Sequence, residues 1–227
     1  MSLYYQDMLS IVSTPIWNLE DITLRALRIL READYIACED TRMTGQLLVH
    51  YEIPNGGRLM SFHSHSGDFK VEKIIALLKE GKHVALVSDA GTPGISDPGY
   101  VLIKNSIEEG IIVTPIPWAS AVLSALVASG MDSHHYLYLG FLPVKKWRQT
   151  MLKSLVNKTY TVVVYESVHR IERTLEELGE YLGADHHIVV GREITKKFEE
   201  FKRGSIAEVR EYYRWEGKVK GEFVLVF

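Results

Sequence analysis

The sequence of 227 residues contains a single cysteine, Cys38, so neither an internal disulfide nor a cysteine-built zinc site can form. It has no surplus of positive charge. Its 26 Lys+Arg stand against 29 Asp+Glu, a formal net charge of −3. That excludes a uniformly basic nucleic-acid binder of the histone or ribosomal-protein type, though not a basic patch on one face. No apolar run approaches the ~18 residues of a membrane span. The opening MSLYYQDMLS lacks the basic stretch and apolar core of a secretory leader. A soluble, cytoplasmic protein is the expectation. Three chemistry-bearing motifs are also missing: G-x-G-x-x-G, G-x-x-x-x-G-K-[ST] and G-x-S-x-G. A Rossmann dehydrogenase, a P-loop kinase and a serine-nucleophile elbow are therefore unsupported.

What is present suits a folded protein with a sizeable core: 46% hydrophobic and 24% charged residues. The charge is uneven, net −5 over residues 1–116 and net +2 over 117–227. Short β-branched runs alternate with helical patterns. Strands are expected at 8–13, 35–38, 59–62, 83–87 and 111–116, with helices at 22–31, 42–50, 71–79 and 100–109 between them. This βαβα order predicts a mostly parallel α/β sheet. The segment PIPWAS (115–120) marks the best boundary, giving domains 1–116 and 117–227. In the second half, helices are expected at 121–129, 146–157, 171–182 and 206–213. Strands are expected there at 136–141, 160–165, 188–192, 198–203 and 222–227.

The loop SDAGTPGISDPG (88–99) follows a buried-type strand, at the sheet edge where open α/β sheets bind ligands. Gly91, Gly94 and Gly99 permit close backbone approach, and Asp89 offers an acceptor for an ammonium or hydroxyl. An ordinary β–α connection is the plainer alternative. Thr14-Pro15-Ile16 leaves the first strand at the same edge, with Asn18 or Glu20 as a cap for the next helix. Cys38-Glu39-Asp40-Thr41-Arg42 ends another strand; it either orients a polar substrate or is a helix cap with a surface ion pair. His63 and His65 share a side if extended, yet no carboxylate or cysteine completes a ligand set, so no metal is expected. The adjacent pairs His134-His135 and His186-His187 read as solvated. Lys145, Lys146, His169, Arg170, Arg192, Lys196, Lys197, Lys202 and Arg203 cluster at strand ends of the second half. They are either phosphate-neutralising groups or a solvated rim.

These segments together resemble one family: the small-subunit (16S) ribosomal RNA cytidine 2′-O-ribose methyltransferases, within the tetrapyrrole-methylase-like (class III) S-adenosylmethionine methyltransferases. The resemblance is carried by STPIWNLEDITLRAL (13–27), ACEDTR (37–42), VALVSDAGTPGISDPGY (84–100) and PIPWASAV (115–122). It continues through GFLPVKK (140–146), YESVHR (165–170), REITKKFEEFKRG (192–204) and KGEFVLVF (220–227), in family order along nearly the whole chain. It implies a two-domain α/β homodimer, with a mostly parallel sheet in the N-terminal domain, a mixed sheet in the C-terminal domain and S-adenosylmethionine in a cleft between them. Pro15, Ile16, Asp89, Ala90, Gly91, Thr92, Ser120, Ala121, Glu166 and Gly204 are implied to hold the cofactor. A ribose hydroxyl is a weak nucleophile and needs a base or a positive charge at the developing alkoxide; Asp40, Glu193 and Lys196 are the alternatives. Arg42, Arg170, Arg192 and Lys197 are implied contacts to small-subunit rRNA, in the assembled particle, with no DNA and no membrane involved.

The family pattern has glycine where this chain has Trp17 and Trp118, and commonly at Trp147; Ala119 replaces a proline, and Met43 stands where histidine is common. Indoles at 17 and 118 would obstruct the cofactor cleft and leave a non-catalytic remnant. Alternatively they are glycine codons (UGA) translated as tryptophan. Some members carry a segment beyond the last strand, whose RNA contacts are expected to be missing here. The other alternative, a methylase of a small tetrapyrrole, fits the CEDTR and REITKKFEEF segments less well.

Overall fold

The computed structural model of the chain describes residues 8–63, 68–97, 99–117, 119–215 and 220–227. Trp118 and His65 lie outside the described residues. The chain divides into two compact units, Met1–Ser120 and Ala121–Phe227.

Unit 1 alternates strands β1 (Met8–Val12), β2 (Tyr35–Cys38), β3 (Leu59–Ser61), β4 (Val84–Val87) and β5 (Ile112–Ile116) with helices α1 (Leu24–Glu32), α2 (Thr41–His50), α3 (Asp68–Lys79) and α4 (Gly99–Glu108). The strands form one sheet in the order β3-β2-β4-β1-β5, every pair parallel. A sheet covered on both faces needs apolar residues on both, and the central strands supply them with a period of two. Val12, Ile36, Cys38, Ala85 and Val87 face Ala26, Ile29 and Leu30 of α1 and Leu48 of α2. Leu9, Ile11, Ala37, Val84 and Leu86 face Ile74 and Leu78 of α3 and Leu102 of α4. The neighbours β1 and β4 therefore lead to helices on opposite faces. That divergence is the topological switch point at which open α/β sheets bind ligands.

Unit 2 runs α5 (Ala121–Ser129), β6 (Tyr136–Phe141), α6 (Arg148–Leu155), β7 (Thr161–Ser167), α7 (Ile171–Leu182), β8 (His187–Arg192), β9 (Glu200–Ser205), α8 (Ile206–Trp215) and β10 (Glu222–Val226). Its sheet has the order β6-β7-β10-β8-β9; β6 and β7 are parallel and the remaining pairs antiparallel. So β6, β7 and β8 end at the edge where β9 and β10 begin. Helices α6, α7 and α8 cover one face through Leu152, Leu175 and Val209. The small-residue helix α5 covers the other, with Val122, Ala125 and Leu126 against Val163, Val189 and Val224.

Two sequence-derived boundaries move for physical reasons. The strand expected from 198 begins at Glu200, because 193–199 is wound into a tight turn. The helix expected from 146 begins at Arg148, because Trp147 sits in the left-handed region at φ 68° and starts the helix from there. Among the described residues, no helix is long and apolar enough to cross a membrane, and no group of three or more His, Cys, Asp or Glu is placed to hold a metal.

Candidate active site

At the switch point of unit 1, the loops after β1 and β4 are tied together. Thr14 and Gly91 exchange backbone hydrogen bonds of 2.9 and 3.1 Å. The Thr14 hydroxyl donates to the Ser88 carbonyl at 3.0 Å, and the Ser13 hydroxyl to Thr92 Oγ1 at 3.0 Å. Sequence reasoning gave three glycines of the second loop one role; the structure separates them. Gly91, at φ 82°, has open space where a side chain would project, so its backbone is approachable from outside. Gly94 and Gly99 instead serve the loop itself: their backbone N–H groups both donate to Asp97 Oδ1, at 2.6 and 2.8 Å. A Cβ on Gly99 would also strike the Gly94 nitrogen.

Beside this junction lies a cavity of about 240 Å³, lined by Thr14, Pro15, Ile16, Trp17, Leu19, Met43, Thr44, Gln46, Leu47, Ser88 and Asp89. One wall is apolar, and the other presents the exposed Asp89 carboxylate. Its volume is just under the ~300–1,000 Å³ usual for small-molecule pockets, room for part of a nucleoside-sized ligand. Trp17, 45% exposed, forms part of the wall. Asp89 accepts the backbone N–H of Asp40 at 3.0 Å. Partial burial raises its pKa, and the Asp40 charge adds to the rise. Glu39 is raised in the same way, by burial first and then by Asp89 and Asp97.

Asp40 itself has a structural task. It caps α2 by accepting the Arg42 N–H at 2.8 Å, and it pairs with the Arg42 guanidinium at 2.6 Å. Those hydrogen bonds hold its carboxyl at about 2. So low a pKa makes a poor base at neutral pH. Ser120 and Ala121 follow β5 at the junction of the two units.

The remaining candidates lie in unit 2. Glu166, on β7, is 1% exposed and fully engaged. Its carboxylate accepts the Thr174 hydroxyl at 2.6 Å and the Ser167 N–H at 2.7 Å, and pairs with Arg170 at 2.8 Å. Its side chain thereby fixes Thr174, Ser167 and Arg170 in place. Gly204, on β9, has a packing reason: a Cβ there would meet the Glu208 carboxylate at 2.8 Å. Glu208 and Ser205 form a reciprocal capping box at the start of α8.

The 193–199 turn has the most unusual backbone among the described residues. Glu193 at φ 50° and Thr195 at φ 68° both occupy the left-handed region, which a β-branched residue strongly disfavours. This path lays Lys196 Nζ against Glu193 Oε1 at 2.7 Å and Glu222 Oε2 at 3.1 Å. Burial pulls the Lys196 pKa down, but the hydrogen bonds to Glu193 and Glu222 outweigh it and the net shift is upward. The amine is thereby held in its charged form. Gly221 must lack a side chain because a Cβ would overlap the Glu193 carboxylate.

Sequence reasoning missed the polar network behind Glu166. Arg148, 2% exposed, pairs with Glu177 at 2.6 Å and donates to the Thr174 hydroxyl at 2.7 Å and the Pro143 carbonyl at 3.0 Å. The available signal was Thr174, a polar residue on the apolar face of α7 beside Ile171, Leu175 and Leu178.

Residues 8–210 match the family model of tetrapyrrole (corrin/porphyrin) methylases. Proteins named ribosomal RNA small subunit methyltransferase I resemble the chain over nearly its full length. The one from Halalkalibacterium halodurans is 47% identical over 96% of this chain and 74% of its own. That from Bacillus subtilis is 46% identical with the same coverage, and that from Hydrogenobaculum is 44% identical over 96% of this chain and 94% of its own. Among solved structures, a cobalt precorrin-4 methyltransferase superposes with a TM-score of 0.69 at 18% identity, covering 97% of this chain and 94% of its own. A diphthine synthase superposes with a TM-score of 0.71 at 14% identity, covering 97% and 89%.

Proposed function

This chain belongs to the tetrapyrrole (corrin/porphyrin) methylase family and, within it, to the ribosomal RNA small subunit methyltransferase I group; on that premise we propose that it methylates a cytidine 2′-hydroxyl of small-subunit rRNA. It is a methyltransferase dependent on S-adenosylmethionine, which when bound supplies an electrophilic methyl group on a sulfonium sulfur. The donor set of unit 1 suits that molecule. Asp89 offers a carboxylate to an ammonium or to ribose hydroxyls. Pro15, Ile16 and Leu47 offer an apolar wall to a purine ring, and the open backbone at Gly91 allows close approach. Ala90, Thr92 and Ser120 complete the proposed cofactor contacts within unit 1.

In the proposed reaction Glu193 takes the proton of the 2′-hydroxyl, while Lys196, held protonated, offsets the negative charge growing on that oxygen. That oxygen takes the methyl group, its oxygen–carbon bond forming as the carbon–sulfur bond breaks and a neutral thioether leaves. The observation that carries this assignment is the left-handed backbone at Glu193 and Thr195, strain of the kind that collects where a site dictates side-chain direction. We propose further that the enzyme works in the cytoplasm, as a homodimer, on the assembled subunit.

The test is methyl transfer to small subunits from a strain lacking the gene, read by mass spectrometry of the rRNA. One new 2′-O-methylcytidine is expected. Glu193→Gln and Lys196→Met should each cut turnover about 10²-fold or more with cofactor affinity intact. Wild-type rates in both would overturn the assignment, and transfer to porphyrin precursors in place of subunits would overturn the substrate. Calorimetric titration with S-adenosylmethionine tests Trp17. Binding by Trp17→Gly/Trp118→Gly but not by the parent chain would identify the indoles as the obstruction.

A further inference from the structure

We infer that the edge of the unit 2 sheet where β6, β7 and β8 end is the rRNA-docking surface, with Lys145, Lys146 and Lys197 as its phosphate contacts and Phe198 as a stacking platform for an unpaired base. This rests on the rRNA reading and names where that RNA is gripped. It also reassigns the phosphate contacts implied by motif, because charge at this edge is distributed in a way the sequence hides.

The arginines implied by motif already face carboxylates. Arg170 is paired with Glu166 at 2.8 Å, Arg192 lies 3.7 Å from Glu200, and Arg42, in unit 1, is paired with Asp40. Lys196 is held between Glu193 and Glu222. Lys145, Lys146 and Lys197 are exposed and form no ion pair among the described residues. The nearby carboxylates are turned to other partners: Glu199 accepts the Thr195 N–H at 2.7 Å, and Glu200 takes the hydroxyls of Tyr212 and Tyr213. Three positive charges therefore remain for an external anion.

Aromatic rings accompany them. Phe198, 67% exposed, has Lys197 Nζ 5.8 Å from its ring centre, and the exposed Phe141 has the Arg170 guanidinium 6.0 Å from its own. Cations interleaved with uncovered rings are how proteins hold single-stranded RNA: phosphates meet the charges and splayed bases stack on the rings. An acidic protein surface would use the lysines but leave the rings without partners. The two lysine-bearing loops follow strands separated by three strand spacings, about 14 Å, so a strand several nucleotides long would cross both.

Neither loop is slack. The path of 142–147 is gripped by its carbonyl oxygens: Arg148 donates to Pro143 at 3.0 Å and Arg170 to Leu142 at 2.9 Å. Burying an arginine to hold a loop is costly in desolvation, a device that an unemployed solvated loop does not need. The 193–199 turn is closed by backbone hydrogen bonds from Lys196 to Glu193 and from Glu199 to Lys196. Both platforms are thus ordered before RNA arrives, which lowers the ordering cost of binding.

The experiment compares the full chain with Lys145→Gln/Lys146→Gln/Lys197→Gln and with Phe198→Ala. It uses undermethylated small subunits and a naked rRNA fragment spanning the methylated cytidine. For the triple variant, KM for subunits should rise at least tenfold, with S-adenosylmethionine affinity and melting temperature unchanged. The slope of log affinity against log salt should flatten by about 2, three contacts at roughly 0.7 each for single strands. Phe198→Ala should weaken binding of the naked fragment about tenfold, and Phe198→Tyr should restore it. An unchanged KM and salt slope in the triple variant would overturn the inference. So would a loss confined to intact subunits, which would mark a ribosomal protein as the partner. Failure of the rRNA reading itself would look different: the parent chain would not methylate subunits at all.

Discussion

Replacing Trp147 by glycine removes the largest side chain on its loop and is expected to leave the protein as stable as before, or slightly more so. Trp147 is the residue before α6, at φ 68° and ψ −5°, with no side-chain cap. Its indole is 66% exposed and meets Lys146 at 5.6 Å. Its carbonyl accepts the Met151 N–H at 2.9 Å, so the helix needs this backbone and not this side chain. A Cβ in the left-handed region costs roughly 1–2 kcal/mol. Glycine relieves that but adds about 0.4–1 kcal/mol of unfolded-chain freedom, and an exposed cation–π contact is worth about 0.5–1 kcal/mol. The cleaner comparison is Trp147→Gly against Trp147→Ala, since both lose the indole and only one keeps a Cβ. Glycine should be the more stable by about 0.5–1 kcal/mol in urea unfolding. At Lys73, exposed in the middle of α3, the order should reverse by about 1 kcal/mol. Alanine matching or exceeding glycine at 147 would refute the reasoning.

His83, buried against the Ser10 hydroxyl at 2.8 Å, has a pKa lowered by burial despite the opposing pull of Asp34 and Glu32. Its folded value lies below the unfolded 6.5, so its contribution is complete above that pH and lost as pH falls through the folded value. Urea unfolding from pH 7 to 5 should show stability declining by at most about 1.4 kcal/mol per pH unit from this group, a slope that His83→Gln should flatten. Arg148→Met should cost about 1.5–3 kcal/mol by removing its hydrogen bonds to Glu177, Thr174 and Pro143, while Glu177 keeps its pair with Arg173 at 2.9 Å; a loss below about 1 kcal/mol would deny the network its role. Asp89→Ala should weaken S-adenosylmethionine binding at least tenfold by calorimetry while changing the melting temperature little. Thr195→Gly should stabilise the fold and lower turnover, because it relaxes the turn that aims Lys196.

The parallel sheet of unit 1 was legible because its signals are local. Consecutive apolar runs mark strands covered on both faces, and glycines at 81 and 110 stop the helices between them. The meeting of Thr14 with Gly91 was legible at one remove, since parallel strands must end at one edge. Asp40 was legible in both its readings, and the Arg42 N–H at 2.8 Å shows the cap. The Arg148–Thr174–Glu177 network was legible only in part: Thr174 breaks the apolar face of α7, but nothing periodic links it to Arg148 on another helix. Nor was the left-handed path at Glu193 and Thr195, since neither residue type predicts it. The turn shows only in three dimensions, where the Glu222 carbonyl accepts the Glu193 N–H at 3.0 Å.

The grip of Arg148 and Arg170 on the carbonyl oxygens of Pro143 and Leu142 separates the path of that loop from its chemistry. Main-chain atoms belong to every residue alike, so the side chains at 144–146 can be exchanged without unfastening what lies beneath them. Selection can retune which nucleic-acid surface is gripped, and how tightly, by single surface substitutions, while the anchoring arginines, Arg148 buried and Arg170 half-buried in unit 2, stay fixed.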